Sequence, residues 1–201
     1  MLFDKVNMGN ILYKVYFKLF HYKEIFRVKC THFHIAALYN KQSCIHSSVY
    51  FDKSFSIKIE YNQAILRINE NVLFKQNCSV NIFENGKLTI EENVFFNAGC
   101  SIVSLNNIHI GRNTIIGENV KMYDHNHAYK DLDKLIREQG FTTAPIYIEE
   151  DCWIGSNVVI LKGVRIGRHS VIGANCIINK DIPAYSLVHS DNNNQIVNSI
   201  K

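Results

Sequence analysis

A strict spacing of six residues separates apolar side chains from Ile68 to Ile178. The pattern consists of five triplets, and of its fifteen positions all are apolar and eleven are isoleucine. The triplets are Ile68, Phe74, Val80; Ile90, Phe96, Ile102; Ile110, Ile116, Met122; Ile148, Ile154, Ile160; and Ile166, Ile172, Ile178. Neither a helical period of 3.6 nor simple alternation produces a period of six, whereas short strands joined by tight turns do. The spacing therefore predicts an all-β chain of stacked triangular coils, three hexads to a coil, around a column of isoleucines.

Small or β-branched side chains occupy a second position of this repeat, four residues after most of the apolar anchors. Four of the six cysteines fall on it, namely Cys78, Cys100, Cys152 and Cys176. Cysteines at such a position are expected to be buried packing residues. Cys30 and Cys44 remain, and their spacing indicates neither a zinc site nor a disulfide framework. Reduced thiols favour a cytoplasmic protein.

The positive charge of the chain is concentrated at its beginning. Of the net charge of +4, residues 1–60 contribute +5 and residues 61–201 contribute −1. The apolar stretch Ile11 to Phe26 is interrupted by three lysines and a glutamate, so we expect neither a signal peptide nor a membrane span. Residues 8–29 are compatible with peripheral association at an anionic membrane, and the alternative is a packing helix whose lysines face water. No basic, aromatic-studded stripe continues further along the chain, so nucleic acid is not an expected partner.

The longest interruption of the repeat lies between Met122 and Ile148. It begins with "YDHNHAYKD" and predicts a polar loop over residues 123–145 that leaves one corner of the coil stack. An extended polar loop in a compact repeat domain is more often functional than accidental. Two histidines, His125 and His127, stand at its start.

The stretches "IHIGRNTIIGENV" and "CWIGSNVVILKGVRIGRHSVIGANCIINKDIPAYSLV" resemble the hexapeptide-repeat acyltransferases. The resemblance covers about Ile68 to Val188 and is to the maltose and galactoside acetyltransferases and to the capsule and O-antigen acetyltransferases. It implies a left-handed parallel β-helix, a handedness that the spacing alone does not give, and a homotrimer with the long loop over a cleft between subunits. We accordingly divide the chain into an N-terminal basic, aromatic segment with helical or mixed structure (1–60), the β-helix (61–188) and a tail (189–201).

The same resemblance assigns roles to individual residues. The family's catalytic histidine lies seven residues after the last small corner residue before the loop, and counting from Val120 gives His127. His125 stays open as an alternative base, or as a residue that steers the loop through Asp124. The remaining assignments are Asn97 for the acceptor, Trp153 and Ser156 beside the thioester, and Ala174 and Lys180 at coenzyme A.

These assignments imply an O-acetyltransferase that uses acetyl-CoA and requires no metal. A sugar hydroxyl is a weak nucleophile at neutral pH, and an imidazole is the natural base to remove its proton during attack. The loop sequence is most similar to enzymes that acetylate cell-surface polysaccharides, and an acceptor carried on a lipid would place the protein at the inner face of the membrane. Lys162, Arg165 and Arg168 are further candidates for contacts with the cofactor's phosphates.

Three alternatives remain open on the sequence. In the first alternative, the chain is an acetyltransferase whose acceptor is an amino sugar, serine or an antibiotic. In the second, His109, His125 and His127 bind zinc as in a carbonic-anhydrase-type hydratase. The third is a non-catalytic β-helix scaffold. The tail "LVHSDNNNQIVNSIK" also departs from the family's Gly-Asn-Pro turn and basic helix, which puts coenzyme A contacts at that end in doubt.

Overall fold

A computed structural model describes residues 8–39, 41–60, 63–191 and 194–200 of the chain, with the side chains of residues 8–17, 20, 21, 191, 194 and 195 outside the description. The first element is a helix, α1, which spans Met8–Tyr39. The described residues then form six coils of three short strands each.

The coils follow one another along the chain in a regular order. Coil 1 contains β1 (Ser43–Ile45), β2 (Tyr50–Phe51) and β3 (Ser56–Ile59); coil 2 contains β4 (Ile65–Ile68), β5 (Leu73–Phe74) and β6 (Ser79–Ile82); coil 3 contains β7 (Lys87–Ile90), β8 (Phe95–Phe96) and β9 (Ser101–Ser104). Coil 4 contains β10 (Asn107–Ile110), β11 (Ile115–Ile116) and β12 (Lys121–Tyr123). The loop after coil 4 contains β13 (His125–His127), a short 3₁₀ helix (Ile136–Glu138) and β14 (Phe141–Thr143). Coil 5 contains β15 (Ile146–Ile148), β16 (Trp153–Ile154) and β17 (Val159–Leu161); coil 6 contains β18 (Arg165–Ile166), β19 (Val171–Ile172) and β20 (Ile177–Ile178); β21 (Ser186–Asp191) and β22 (Asn194–Ser199) follow.

Equivalent strands of successive coils pair in parallel and build three sheets, one on each face of a triangular prism. Sheet A begins with β1, sheet B with β2 and sheet C with β3. The pairing is in register, so that Ile110 lies beside Ile148 in sheet A and Ile116 beside Ile154 in sheet B. All fifteen anchors of the six-residue pattern are buried, none more than 2% exposed. The expected all-β, left-handed parallel β-helix is therefore confirmed.

The stacked strands begin at Ser43, inside the part of the chain that the sequence analysis assigned to the N-terminal segment 1–60. Ile45, Phe51 and Ile57 keep the six-residue spacing, and they pair in register with the first predicted triplet. Phe51 starts an aromatic stack that continues through Phe74 to Phe96, with ring centroids 5.7 and 4.4 Å apart. In sheet B, aromatic anchors thus fill the core at this end of the prism, whereas Ile116, Ile154 and Ile172 fill it farther along.

Both ends of the prism carry additional structure. The C-terminal part of α1 lies on coil 1, where Ile35 is buried and the Nε2 atom of His32 is 2.8 Å from the carbonyl oxygen of Val49. At the other end, β21 joins sheet B beside β19, and β22 pairs with it in antiparallel orientation. The C-terminal tail therefore forms a β-hairpin with the end of the prism, in place of the family's closing turn and helix.

The tight turns are made by residues that tolerate left-handed backbone conformations. Among the described residues, seven asparagines take φ angles of 55–61°, in the region that asparagine tolerates better than most residues. Some of them also stack: the Asn71 amide donates to Asn93 and the Asn93 amide to Asn113, each over 3.2 Å. These side chains link successive coils at the prism corners.

The buried cysteines behave as packing residues. Cys78, Cys100, Cys152 and Cys176 are all buried and free, as predicted, while Cys30 and Cys44 are exposed and free. Burial raises the pKa of the Cys152 thiol to about 11, so this group stays protonated near neutral pH.

Glycines that follow the anchors allow the coils to approach each other, and this gives a stability prediction. A Cβ atom at Gly111 would lie 2.6 Å from the backbone of Glu149 and Glu150, whereas one at Gly173 would be no closer than 3.0 Å to any atom. We expect Gly111→Ala to lower the free energy of unfolding by about 2–3 kcal/mol, and the matched Gly173→Ala by clearly less. Chemical denaturation of the two variants measures the difference, and equal losses would contradict the stacking constraint.

Candidate functional site

The loop at residues 123–145 is an ordered antiparallel hairpin at its base, which we call the histidine hairpin (β13 and β14). His125 pairs with Thr143 and His127 with Phe141. The ladder continues beyond the strands, because the backbone N–H of Ala128 donates to the carbonyl of Gly140 over 3.0 Å. Since His125 and His127 are two residues apart in a strand, both imidazoles stand on one face of the hairpin.

A buried carboxylate, that of Asp124, fixes the hairpin to the prism. Its Oδ1 atom accepts from the backbone N–H of Leu105 over 2.8 Å, and Oδ2 accepts from the Ser104 hydroxyl and the N–H of Asn106, also over 2.8 Å. The backbone carbonyl of Asp124 accepts from the N–H of Ala144 over 3.0 Å, which closes the base of the hairpin. One residue thereby ties the turn after coil 3 to both ends of the loop.

The two histidines occupy different environments. The His125 ring is only 16% exposed, and its Nδ1 atom lies 3.4 Å from Oδ1 of Asp124. His127 is exposed, with its ring centroid 4.6 Å from that of Phe141, whose edge also contacts His125 at 5.4 Å. Phe141 therefore contacts both imidazoles, of which His125 is held and His127 is the one that solutes can reach.

His127 opens into a cleft of about 640 Å³ on the outer side of the hairpin. Its lining residues are mostly polar and come mainly from the loop: Asn126, His127, Ala128, Tyr129, Lys130, Asp131, Lys134, Glu138, Gln139, Thr142 and Lys162. Gln139 shapes this wall, because its side chain accepts from the N–H of Asp131 and donates to the carbonyls of Asp131 and Lys134 over 2.8–3.0 Å. The cleft is thus built from a loop that is held by its own side chains.

Lysines stand at the prism corner from which the hairpin emerges. Ile160 and Ile178 are neighbours in adjacent strands of sheet C. Lys162 lies two residues after the first and Lys180 two residues after the second, so the two lysines occupy equivalent positions at the same corner. Lys162 also lines the cleft. A corner with two lysines and an adjacent polar cleft suits a ligand that carries phosphate groups.

The other basic candidates lie elsewhere. The guanidinium of Arg165 is 4.7 Å from the centroid of the Tyr147 ring and donates to Glu149 over 2.8 Å. That of Arg168 is 5.6 Å from the Tyr185 ring. The backbone N–H of Arg168 and the Arg165 side chain together hold the pKa of the Glu149 carboxyl below its usual value. Both arginines are therefore engaged on sheet A and the corner that follows it.

The remaining predicted site residues form a second group, the sheet-B group (Asn97, Trp153, Ser156 and Ala174). Trp153 lies in β16 with 55% of its surface exposed, while the other three follow strands of sheet B. The side-chain oxygen of Asn97 accepts from the N–H of Ala98 over 2.9 Å, and the Ser156 hydroxyl accepts from the N–H of Glu118 over 3.3 Å. The hairpin instead leaves the end of sheet C, so in one chain the two groups occupy different parts of the prism.

The three histidines considered as zinc ligands are divided between elements. His109 belongs to β10 in sheet A, where its Nε2 atom lies 3.3 Å from a carboxylate oxygen of Glu91. Within the described parts of the chain, no group of three or more His, Cys, Asp or Glu side chains is arranged to hold a metal ion.

Two features of the site were not predicted as such. Phe141, whose ring contacts both imidazoles, comes from the far end of the loop, and only the pairing of β13 with β14 reveals it. Asp124 was considered only as a partner of His125, whereas three of its contacts are with the turn after coil 3. The sequence signal for this role was a single aspartate, Asp124, placed directly after the last strand of a repeat.

Removal of the Asp124 carboxylate should loosen the hairpin. Asp124→Ala leaves the backbone N–H groups of Leu105 and Asn106 without their acceptor, at about 1–3 kcal/mol for each group that stays buried, while the Ser104 hydroxyl keeps the Lys87 carbonyl as an acceptor. We expect a loss of several kcal/mol in the free energy of unfolding and faster amide exchange at residues 125–143, measured by hydrogen exchange. Asp133→Ala, in the exposed part of the same loop, serves as the matched control and should change stability by no more than about 0.5 kcal/mol. Equal exchange rates in both variants would contradict the role given to Asp124.

Comparisons with known proteins find similar sequences among bacterial acetyltransferases. The family model described as bacterial transferase hexapeptide (six repeats) matches residues 145–180. A galactoside O-acetyltransferase of Lactococcus lactis is 37% identical over 83 residues, which cover 41% of this chain and 39% of that protein. An Escherichia coli protein provisionally named lipopolysaccharide biosynthesis O-acetyl transferase is 28% identical over 134 residues, or 63% of this chain and 68% of that one.

A solved structure extends the similarity to three dimensions. The hexapeptide-repeat acetyltransferase of Vibrio cholerae complexed with acetyl coenzyme A superposes with a TM-score of 0.51 and 27% identity, covering 79% of this chain and 71% of that one. The alignment with the Lactococcus protein spans only about two-fifths of that relative's length. Together the comparisons confirm the resemblance, since this chain carries the repeat and the fold of the hexapeptide-repeat acyltransferases.

Proposed function

We propose that this chain is an acyltransferase that moves an acetyl group from acetyl-CoA to a hydroxyl of a sugar. The observation that carries the proposal is the accessible imidazole of His127, held on an ordered hairpin beside a polar cleft and a corner with two lysines. The two relatives and the solved structure described above are named as acetyltransferases, two of them as O-acetyltransferases. The acceptor most consistent with them is a sugar of a cell-surface polysaccharide.

In the proposed reaction, His127 acts as general base. Its imidazole takes the proton from the sugar hydroxyl while the oxygen attacks the thioester carbonyl. The carbon–sulfur bond then breaks, the ester forms, and coenzyme A leaves as a thiol after its sulfur takes the proton from the His127 imidazolium. General-base assistance of this kind contributes roughly 10²–10⁴ in rate. The reaction needs no acyl-enzyme, because both substrates meet in one complex.

We assign supporting roles to the other predicted residues. The side chain of Asn97 would bind the acceptor, a backbone N–H near Ser156 would stabilise the oxyanion, and Trp153 would form the wall beside the acetyl group. Ala174 and Lys180 would contact coenzyme A, and Lys162 joins them because it lines the cleft next to His127. His125, held between Asp124 and Phe141, would keep the hairpin in place.

A homotrimer would complete this site. The histidine hairpin and the sheet-B group lie in different parts of one prism, so a second copy has to bring its sheet-B group to the first copy's hairpin. We also propose that the enzyme is cytoplasmic and works at the inner face of the membrane, where a lipid-carried glycan would present its hydroxyls.

The role of His127 is tested by thiol release from acetyl-CoA with a panel of sugars, amino sugars, serine and aminoglycosides as acceptors. We expect a sugar to be the substrate, and His127→Ala to lower kcat by about 10²–10⁴ with an unchanged oligomeric state. His46→Ala, in the turn after β1, is the matched control and should keep full activity. Loss of activity in His125→Ala with activity retained in His127→Ala would assign the base to His125 and overturn the proposal.

Sharing of the site between copies has its own test. His127→Ala and Asn97→Ala chains, each inactive alone, are mixed in equal amounts, unfolded and refolded together. If each site takes its histidine from one copy and its asparagine from the next, about a quarter of the sites (one half times one half) regain both residues. Recovery of about that fraction of the original activity is expected. If refolded mixtures stay inactive while refolded wild-type protein is active, the site lies within one chain.

A further inference from the structure

One side of α1 exposes large apolar side chains. Leu19, Tyr22, Phe26 and Phe33 are 64–76% exposed. At 100° per residue they fall within about 60° of the helix circumference, so they form one stripe. Single exposed apolar residues need no explanation, but an aligned stripe of four marks a surface that binds something.

The opposite side of α1 is fixed on coil 1. Arg27 forms an ion pair with Glu24 at 2.7 Å, donates to the hydroxyl of Tyr50 over 3.3 Å and lies 3.8 Å from Asp52. Farther along, Ile35 is buried. These contacts set the rotation of the helix about its own axis, and they direct the apolar stripe away from the prism.

The charges around the stripe are all positive. Lys23 lies on one side of it and Lys18 and Lys29 on the other, and all three are exposed. Glu24 is the sole acidic residue between Asp4 and Asp52 in the sequence, and Arg27 binds it on the side that faces coil 1. The outward side therefore presents aromatic and aliphatic groups between lysines.

This combination fits the surface of an anionic bilayer. Among the residues that the structure describes, no helix has the length and apolar character that crossing a membrane requires. A helix with a basic border and an apolar stripe instead lies in the plane of the headgroups, where the apolar groups enter the acyl boundary and the lysines meet lipid phosphates. Contact with a second copy through the same stripe would bring like-charged lysines together, which opposes that arrangement.

We propose that the outward face of α1, formed by Leu19, Tyr22, Phe26 and Phe33 with Lys18, Lys23 and Lys29, docks on an anionic lipid bilayer. Membrane docking does not depend on the proposed function. One consequence does: coil 4, from which the histidine hairpin leaves, lies three coil spacings or roughly 15 Å beyond coil 1 along the prism. A glycan that projects from a lipid could span that distance.

Flotation of the full chain with vesicles tests the proposal. The protein should float with phosphatidylcholine vesicles that contain phosphatidylglycerol, and less well with phosphatidylcholine alone or at high salt. The variant Lys18→Gln/Lys23→Gln/Lys29→Gln should weaken binding on the order of 100-fold, about fivefold for each lysine. Leu19→Ser/Phe26→Ser/Phe33→Ser should abolish binding. The matched control Leu132→Ser/Leu135→Ser/Ile136→Ser removes three exposed apolar residues from the loop and should bind as the original chain does.

Two results would overturn membrane docking. One is failure of the original chain to float with anionic vesicles. The other is a fall in oligomeric state, measured by light scattering, when the stripe is changed to serine, because the occupant would then be a second copy. Acetyl transfer to a soluble acceptor should persist in the lysine variant, so loss of membrane binding and failure of the proposed function give different outcomes.

Discussion

The in-register stacking of coils is the constraint on which the rest of the structure depends. Parallel strands approach to about 4.8 Å only if each anchor finds its equivalent on the next coil and no side chain obstructs the turn. Ile110 beside Ile148 satisfies the first condition, and Gly111 against the backbone of Glu149 satisfies the second. The register continues across the loop, so coil 5 stacks on coil 4 as if no residues had been inserted. A rigid column with a fixed exit point for the loop is the result.

The point at which the loop leaves the prism fixes the position of the inserted residues that form the candidate site. Asp124 takes the register position that Ser104, the last residue of β9, holds in coil 3, and its carboxylate binds the backbone of the turn that follows coil 3. Buried carboxylates are costly unless they are fully hydrogen-bonded, and this one is satisfied by groups of the prism itself. The hairpin therefore begins from a rigid base, which restrains the position of the accessible His127 imidazole. A general base gains from such positioning, because proton transfer requires hydrogen-bond contact with the attacking hydroxyl.

The sequence predicted the repeat that builds most of the prism, but not coil 1, the C-terminal hairpin or parts of the site. The isoleucine spacing predicted the coils, and the buried anchors confirm it. Coil 1 was missed although Ile45, Phe51 and Ile57 keep the spacing, because the count began at Ile68. The pairing of His127 with Phe141 joins residues fourteen positions apart and has no periodic signal, so it could not be read from the sequence. The tail followed neither the repeat nor the family pattern, and its β-hairpin depends on the open edge that β19 offers in sheet B. The roles of the individual site residues remain predictions.

A structure of the assembled protein with coenzyme A bound tests the central claim most directly. We expect a trimer in which the cofactor's sulfur lies in the cleft beside His127, with Asn97 of a neighbouring copy close to the same point and the imidazole within about 3 Å of the position of the acceptor hydroxyl. A cofactor bound elsewhere on the prism, with the His127 ring facing open solvent, would contradict it.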